Sequence, residues 1–188
     1  WQKTMIKKCN QAGKPVIVAT QMLESMIQNP VPTRAEVNDI YNAVNDRTDA
    51  VMLSGETSVG KYWQEAVTYM STIAAKAEKF IPEQDPDNFD SEDQEIVETA
   101  GHAVYTITKE LMEIGYRAKC VVITRSGKTA QLIAKYRPKY PILAISNDIQ
   151  VVRQLKLVWG VFPVYMTLNM DNELESIIKE GIKQLVEY

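Results

Sequence analysis

The chain has 188 residues, of which 45% are hydrophobic and 24% are charged, a composition typical of folded globular domains and unlike that of disordered chains. Its formal net charge is −3 and its basic residues form no block, which disfavours nucleic acid as a partner. No apolar run approaches the ~18 to 20 residues that a membrane span needs, and two distant cysteines, Cys9 and Cys120, predict buried reduced thiols and neither a disulfide nor a zinc site.

The first half of the chain alternates between short apolar strands and helices. Strands are predicted at Pro15–Ala19 and Ala50–Leu53. Between them, Thr33 and Glu36 form a T-x-x-E capping box that starts the intervening helix, and a long helix follows at Tyr62–Phe80. This order predicts parallel strands joined by right-handed crossovers, with the chemistry at the carboxyl ends of the strands.

Polar residues stand directly after both predicted strands. Thr20 ends the first strand, where a hydroxyl can orient a carboxylate or relay a proton. Ser54 and Glu56 follow the second strand, and Gly55 between them allows a tight turn that directs both side chains inward. Local roles are the alternative: Thr20 could satisfy a neighbouring backbone group, Ser54 could form a turn, and Glu56 could be a charge at a helix start.

A polar, acidic segment with two prolines, residues 82–91, is predicted to be a linker. One domain is therefore expected over residues 1–81 and another over residues 92–188. The second domain is predicted to begin with a helix at Glu92–Ile114, whose apolar face contains Val104, Ile107 and Leu111. Strands and helices then alternate as in an open α/β fold, with strands at Cys120–Thr124, Ile142–Ser146 and Val161–Met166. Two further helices are predicted, one over 149–157 capped by Asp148 and one from about residue 171 to residue 186.

The loop after the first strand of this second domain is rich in hydroxyl groups. It has the sequence TRSGKT and consists of Thr124, Arg125, Ser126, Gly127, Lys128 and Thr129. Backbone N–H groups at a helix start, together with hydroxyls and a lysine, form a natural cradle for a phosphate group. The loop is not a P-loop, because Val122 occupies the position of the first glycine of that motif, so nucleotide hydrolysis is not indicated.

Three motifs in the first half occur in a fixed order: ATQMLESM within Lys14–Met26, PTRAE at Pro32–Glu36 and MLSGET at Met52–Thr57. Through these motifs the chain resembles the pyruvate kinase family, and the resemblance continues over Ala118–Tyr165. It implies an α/β fold made of the last two βα units of a TIM-type barrel, followed by an open α/β C-terminal domain. The implied activity is the transfer of phosphate from phosphoenolpyruvate to ADP, giving pyruvate and ATP, as a cytoplasmic step of glycolysis.

The resemblance implies roles for the residues after the two barrel strands. Thr20 would line the site of pyruvate or phosphoenolpyruvate. Ser54 and Glu56 would lie at the rim of the active site and support its proton network. Glu24 and Arg34 would lie at a subunit interface of a homo-oligomer, which in the intact enzyme is expected to be a tetramer.

The TRSGKT loop would hold the phosphate of an allosteric effector in such a protein. Members of the family that respond to a sugar bisphosphate carry a Trp and an Arg further along, and residues 167–181 contain neither. The expected effector is therefore a sugar monophosphate or a nucleotide monophosphate.

The resemblance also implies that this chain is a C-terminal fragment whose second domain is itself truncated. The catalytic lysine, the ligands of Mg or Mn and the ligands of K would lie upstream, so that this chain would bind no metal and would be inactive alone. The alternative is a non-catalytic module that binds a phosphorylated metabolite through TRSGKT. A structural remnant without activity is a third possibility.

Overall fold

The computed structural model describes residues 1–81, 96–116 and 118–166, with the backbone alone for residues 96–98. The predicted linker and the predicted last helix lie outside the described residues. The chain divides into two units, Trp1–Glu83 and Gln84–Tyr188. No helix within the described ranges is long and apolar enough to cross a membrane.

The first unit has the predicted alternation of helices and parallel strands. Strands β1 and β2 pair in parallel, with Ala19 opposite Met52. The start of β1 is also held by side chains: the Val16 N–H donates to Asp49 Oδ2 at 2.9 Å, and Thr48 Oγ1 donates to the Val16 carbonyl at 2.9 Å. The elements in chain order are α1 (Gln2–Gln11), β1 (Ile17–Ala19), a 3₁₀ turn (Glu24–Ile27), α2 (Arg34–Asn45), β2 (Ala50–Met52), α3 (Gly55–Ser58) and α4 (Trp63–Glu78).

The core of the first unit lies between α2, α4 and the segment after β1. Three of its buried residues, Met22, Leu23 and Met26, come from the MLESM part of the first motif. Leu23 and Met26 have no exposed surface. The motif is therefore anchored in the core by its apolar residues.

The second unit contains a three-stranded parallel sheet in the order β3-β4-β5, with β4 in the centre and buried along its whole length. Its elements are α5 (Ile96–Glu113), β3 (Cys120–Ile123), α6 (Lys128–Ala134), β4 (Ile142–Ser146), α7 (Ile149–Leu155) and β5 (Val161–Tyr165). The predicted cap of α7 is confirmed, because Asp148 Oδ1 accepts a hydrogen bond from the Gln150 N–H at 2.7 Å.

Two expectations about burial were wrong. Ile107 and Leu111 of α5 are exposed, and the buried stripe consists of Gly101, Tyr105 and Thr108. Gly101 faces α6, where a Cβ built on it would lie 3.5 Å from the Leu132 carbonyl oxygen, an ordinary contact distance. Of the cysteines, Cys120 is buried, which raises the pKa of its thiol to about 11, whereas Cys9 is only half buried.

Candidate functional site

Residues of two motifs meet at the carboxyl ends of β1 and β2. Thr20 directly follows β1, and Ser54 lies two residues after the end of β2. Because the strands are parallel and Ala19 is paired with Met52, both residues leave the sheet at the same edge. Both residues are exposed in this chain.

The backbone at the first of these positions is strained. Thr20 has φ 71° and Gln21 has φ 55°, the left-handed region that side-chain-bearing residues rarely adopt. Each such residue costs on the order of 1 kcal/mol and persists only where the surroundings fix the chain. Two consecutive left-handed residues turn the chain sharply at the end of β1. The sequence does not indicate this left-handed turn, since neither residue is a glycine or an asparagine.

Glu56 lies inside the unit, not at an open rim. Its side chain is 1% exposed. Its Oε1 accepts a hydrogen bond from the Leu23 N–H at 3.0 Å, and its Oε2 accepts one from the Ser54 N–H at 2.7 Å. Burial raises the pKa of this carboxyl, and so does nearby Glu36. Hydrogen bonds from the N–H groups of Glu56 itself, Leu23 and Ser54 outweigh them, and the pKa falls below its usual value. The group is therefore ionised at neutral pH and binds backbone.

Glu36 is a second buried carboxylate that binds the same segment. The predicted capping box is confirmed: Thr33 Oγ1 accepts from the Glu36 N–H, and Glu36 Oε2 accepts from the Thr33 N–H at 2.7 Å. The same carboxylate also accepts from the Ser25 N–H at 2.7 Å and from Ser25 Oγ at 2.6 Å. Burial raises the pKa of Glu36, but the bonds from Ser25 and Thr33 lower it below its ordinary value.

Together the two carboxylates hold the segment 22–27, and we call Glu36, Glu56 and this segment the carboxylate clamp. The bond to Leu23 spans 33 positions of sequence, and the bond to Ser25 spans 11. The capping box was recognisable because its partners are three residues apart. The longer bonds have no signal in the local sequence, because their partners come together only in the folded chain.

A glycine closes the turn that carries Glu56. The Gly60 N–H donates to the Gly55 carbonyl at 3.0 Å. A Cβ built on Gly60 would overlap the carbonyl oxygen of Glu56, so a side chain here displaces the backbone of Glu56. The Lys61 N–H also donates to the Ile27 carbonyl at 3.0 Å, which ties this turn to the end of the clamped segment.

The TRSGKT loop is held by bonds within itself. Thr124 is buried and its Oγ1 accepts from the Gly127 N–H at 3.0 Å, so this hydroxyl faces the turn. Ser126 Oγ accepts from the Lys128 N–H at 3.4 Å. Gly127 has φ 79° and caps α6 in the left-handed conformation. Arg125, Ser126 and Lys128 are exposed and Thr129 is half buried, so the outer surface of the loop is cationic.

The two residues predicted at a subunit interface lie on the surface. Glu24 opens the 3₁₀ turn and Arg34 opens α2, and both are exposed. The ring of His102 lies 5.6 Å from that of Tyr136, which is buried. Within the part of the chain that the structure describes, no group of three His, Cys, Asp or Glu residues is placed to hold a metal ion.

Comparison with known proteins gives consistent matches over both units. The chain matches the family described as "Pyruvate kinase, barrel domain" over residues 1–67 and the family "Pyruvate kinase, alpha/beta domain" over residues 98–188. It is 48% identical to a pyruvate kinase of Geobacillus stearothermophilus over 163 residues, and 43% identical to one of Leishmania mexicana over 185 residues. These stretches are 86% and 97% of this chain, but 27% and 37% of the two relatives.

A solved structure agrees with the sequence matches. The crystal structure of a pyruvate kinase from Cryptosporidium parvum superposes with a TM-score of 0.88 at 38% identity, covering 99% of this chain and 37% of that chain. This chain therefore spans about a third of the length of the proteins it matches. The matches give no support to a stand-alone phosphate-binding module.

Proposed function

Since this chain belongs to the pyruvate kinase family, we propose that it forms part of an enzyme that transfers phosphate from phosphoenolpyruvate to ADP, giving pyruvate and ATP. The observation that carries the proposal is the common edge of β1 and β2, where Thr20 and Ser54 present exposed hydroxyl groups. A glycolytic enzyme of this kind works in the cytoplasm, and that is the proposed location.

The part of the reaction assigned to this chain is orientation and proton handling. The Thr20 hydroxyl would bind pyruvate or phosphoenolpyruvate, and Ser54 would belong to the proton network beside the enolate carbon. Hydroxyl groups suit this work because each can donate one hydrogen bond and accept others. Glu56 would contribute to the site through its bond to the Ser54 N–H.

Metal ions would be held elsewhere in the complete enzyme. Phosphoryl transfer requires cations to neutralise charge on the moving group, and Mg or Mn together with K would supply that charge. The described residues offer no cluster that fits a metal ion, so no step of the reaction is assigned to a metal ligand of this chain. The 188-residue chain alone is accordingly expected to be inactive.

The TRSGKT loop is the candidate effector site. Arg125 and Lys128 are exposed beside the N–H groups that open α6, an arrangement suited to one phosphate group. Calorimetric titration with ribose 5-phosphate, AMP and fructose 1,6-bisphosphate tests this, with Lys128→Ala as the variant and Lys79→Ala, an exposed residue after α4, as the control. We expect a monophosphate to bind and Lys128→Ala to weaken it. No binding by any of the three overturns the effector proposal.

Subunit contacts are proposed for Glu24 and Arg34 on the basis of family membership and of their exposure. The complete enzyme would be a homo-oligomer, with a tetramer as the expected state. Sedimentation of the wild type against Arg34→Ala would show the role through a shift toward smaller species.

The activity is tested on the complete enzyme that contains this sequence. The assay follows pyruvate formation from phosphoenolpyruvate and ADP. Thr20→Ala and Ser54→Ala are each expected to lower kcat/KM by ~10²-fold, the size typical of losing a proton-handling or orienting group. Thr72→Ala, an exposed threonine of α4, is the matched control and should keep full activity. A wild type that forms no pyruvate, or a fully active Thr20→Ala, would refute the proposal.

A further inference from the structure

We propose that Glu36 and Glu56 are paired positioning residues, whose carboxylates bind two N–H groups of the segment after β1 and thereby fix the direction of the Thr20 side chain. The inference deepens the proposed function and rests on it, because Thr20 is the residue assigned to the substrate. Neither carboxylate is assigned a contact with the substrate. Both act on the backbone and the hydroxyl groups around the site.

The chain around Thr20 is held at both of its ends. Upstream, β1 is paired with β2 up to Ala19. Downstream, the Leu23 N–H is bound by Glu56 and the Ser25 N–H by Glu36. Between these two fixed points lie only Thr20, Gln21 and the buried Met22.

The backbone of this short stretch is strained. Thr20 and Gln21 both have left-handed φ values, which unconstrained residues of these types leave for extended or right-handed conformations. A fixed start and a fixed end over so few residues can impose that geometry. The clamp supplies the fixed end, so weakening it allows the two residues to relax and Thr20 to turn away.

The clamp requires carboxylates, because all of their partners are hydrogen-bond donors. Each oxygen of Glu56 accepts at least one backbone N–H, and the bonds of Glu36 come from N–H and O–H donors of Ser25 and Thr33. A glutamine of the same shape would replace one acceptor by an NH₂ group facing an N–H donor. Glu→Gln therefore keeps the volume and breaks part of the clamp, which isolates positioning from packing.

The same carboxylates explain why Ser54 and Thr20 would work together. Glu56 binds the Ser54 N–H with one oxygen and the Leu23 N–H with the other, so a single buried group sets the backbone after both strands. Displacement of Glu56 moves the two proposed substrate-facing residues at once. Glu36 is needed in addition because the 3₁₀ turn begins one residue after Leu23 and has its own N–H groups to satisfy.

The first test uses this 188-residue chain and needs no activity. Glu56→Gln and Glu36→Gln are compared with Glu65→Gln, an exposed carboxylate of α4, by residue-resolved amide exchange and by the one-bond Cα–Hα coupling that reports the sign of φ. We expect ~10-fold faster exchange at Leu23 in Glu56→Gln and at Ser25 in Glu36→Gln, the size of one lost hydrogen bond. We also expect loss of the left-handed coupling at Thr20, while Glu65→Gln behaves as wild type.

Two outcomes of this first test overturn the proposal. One is unchanged exchange and coupling in both clamp variants. The other is a left-handed Thr20 that persists while exchange at Leu23 and Ser25 becomes fast. If one of the two variants fails to fold, the other decides the question, since each carboxylate binds a different residue of the segment.

The second test uses the longest protein that carries this sequence and separates positioning from general damage. Glu56→Gln is expected to lower kcat ~10-fold in the wild type and by a clearly smaller factor in a Thr20→Ala background, because only its action through Ser54 remains there. Equal losses in both backgrounds would overturn the proposal. A wild type without activity would refute the proposed function alone, since the first test still decides whether the clamp orients Thr20.

Discussion

The segment after β1 and the TRSGKT loop both follow a parallel strand, yet they are held in opposite ways. Segment 22–27 is held by two buried carboxylates from distant parts of the first unit, across 33 and 11 positions of sequence. The TRSGKT loop is held by Thr124 and Ser126, whose hydroxyl groups reach two or three residues along the chain. The first arrangement depends on the whole unit being folded, whereas the second is built from local turn chemistry.

This difference matches the roles proposed for the two regions. A residue that orients a reacting group must be held within a fraction of an ångström, which long-range bonds to a rigid core achieve. A loop that binds a regulatory phosphate can adjust on binding, because its contacts are charged side chains at the surface. The comparison can be tested by changing one region at a time.

The largest effect is expected from Gly60→Ala. Its Cβ would overlap the Glu56 carbonyl oxygen, so the backbone that carries the clamp must shift, and we expect a loss of about 2 to 3 kcal/mol in the free energy of unfolding. Chemical denaturation followed by fluorescence measures it. A loss below about 0.5 kcal/mol would mean that the turn yields easily and that the first region is no more rigid than the second.

Gly127→Ala should have a smaller effect, of about 1 to 2 kcal/mol. Its φ of 79° disfavours alanine, and the new Cβ would lie 3.1 Å from Leu155 Cδ2 and 3.3 Å from Val151 Cγ1, so these buried side chains must shift by a few tenths of an ångström. Gly115→Ala is the matched control, since it has φ 93° and open space around it, so that strain acts alone. Equal losses for the two variants would show that α7 does not support the TRSGKT loop.

The most gradual effect concerns pH. Folding lowers the pKa of both Glu36 and Glu56, so each stabilises the folded state above its unfolded pKa, and that contribution is lost as pH falls through the folded pKa. The stability of the first unit should therefore decline below about pH 4.5, and Glu36→Gln with Glu56→Gln should flatten that decline. The hydroxyl groups that hold the TRSGKT loop do not titrate, so amide exchange at Gly127 should follow no such curve.

Much of the fold was predictable because its signals are local. Strand β4 has the predicted bounds, Ile142–Ser146, because Pro141 precedes and Asn147 follows this mainly apolar run. The capping box at Thr33 and the cap at Asp148 were likewise identified from spacing and residue type. The parallel pairing of both sheets follows from the alternation of strands and helices.

The candidate site was predictable in its residues but not in its geometry. Motifs pointed to Thr20, Ser54 and Glu56, yet nothing in the sequence shows that Glu56 is buried or that Thr20 has a left-handed backbone. The packing face of α5 was predicted wrongly for a related reason: apolar periodicity marks Ile107, whereas the structure buries Gly101, Tyr105 and Thr108. Long-range contacts decide all three cases.

The double use of Glu36 has a consequence for the order in which the first unit folds. Starting a helix is the costly step of forming it, and the capping box that Glu36 makes with Thr33 lowers that cost over a separation of three residues. The same carboxylate is then in place to accept hydrogen bonds from Ser25. We therefore expect the nucleus of α2 to be also the first fixed point of the candidate site, which would form together with this helix and would not be added to a finished scaffold.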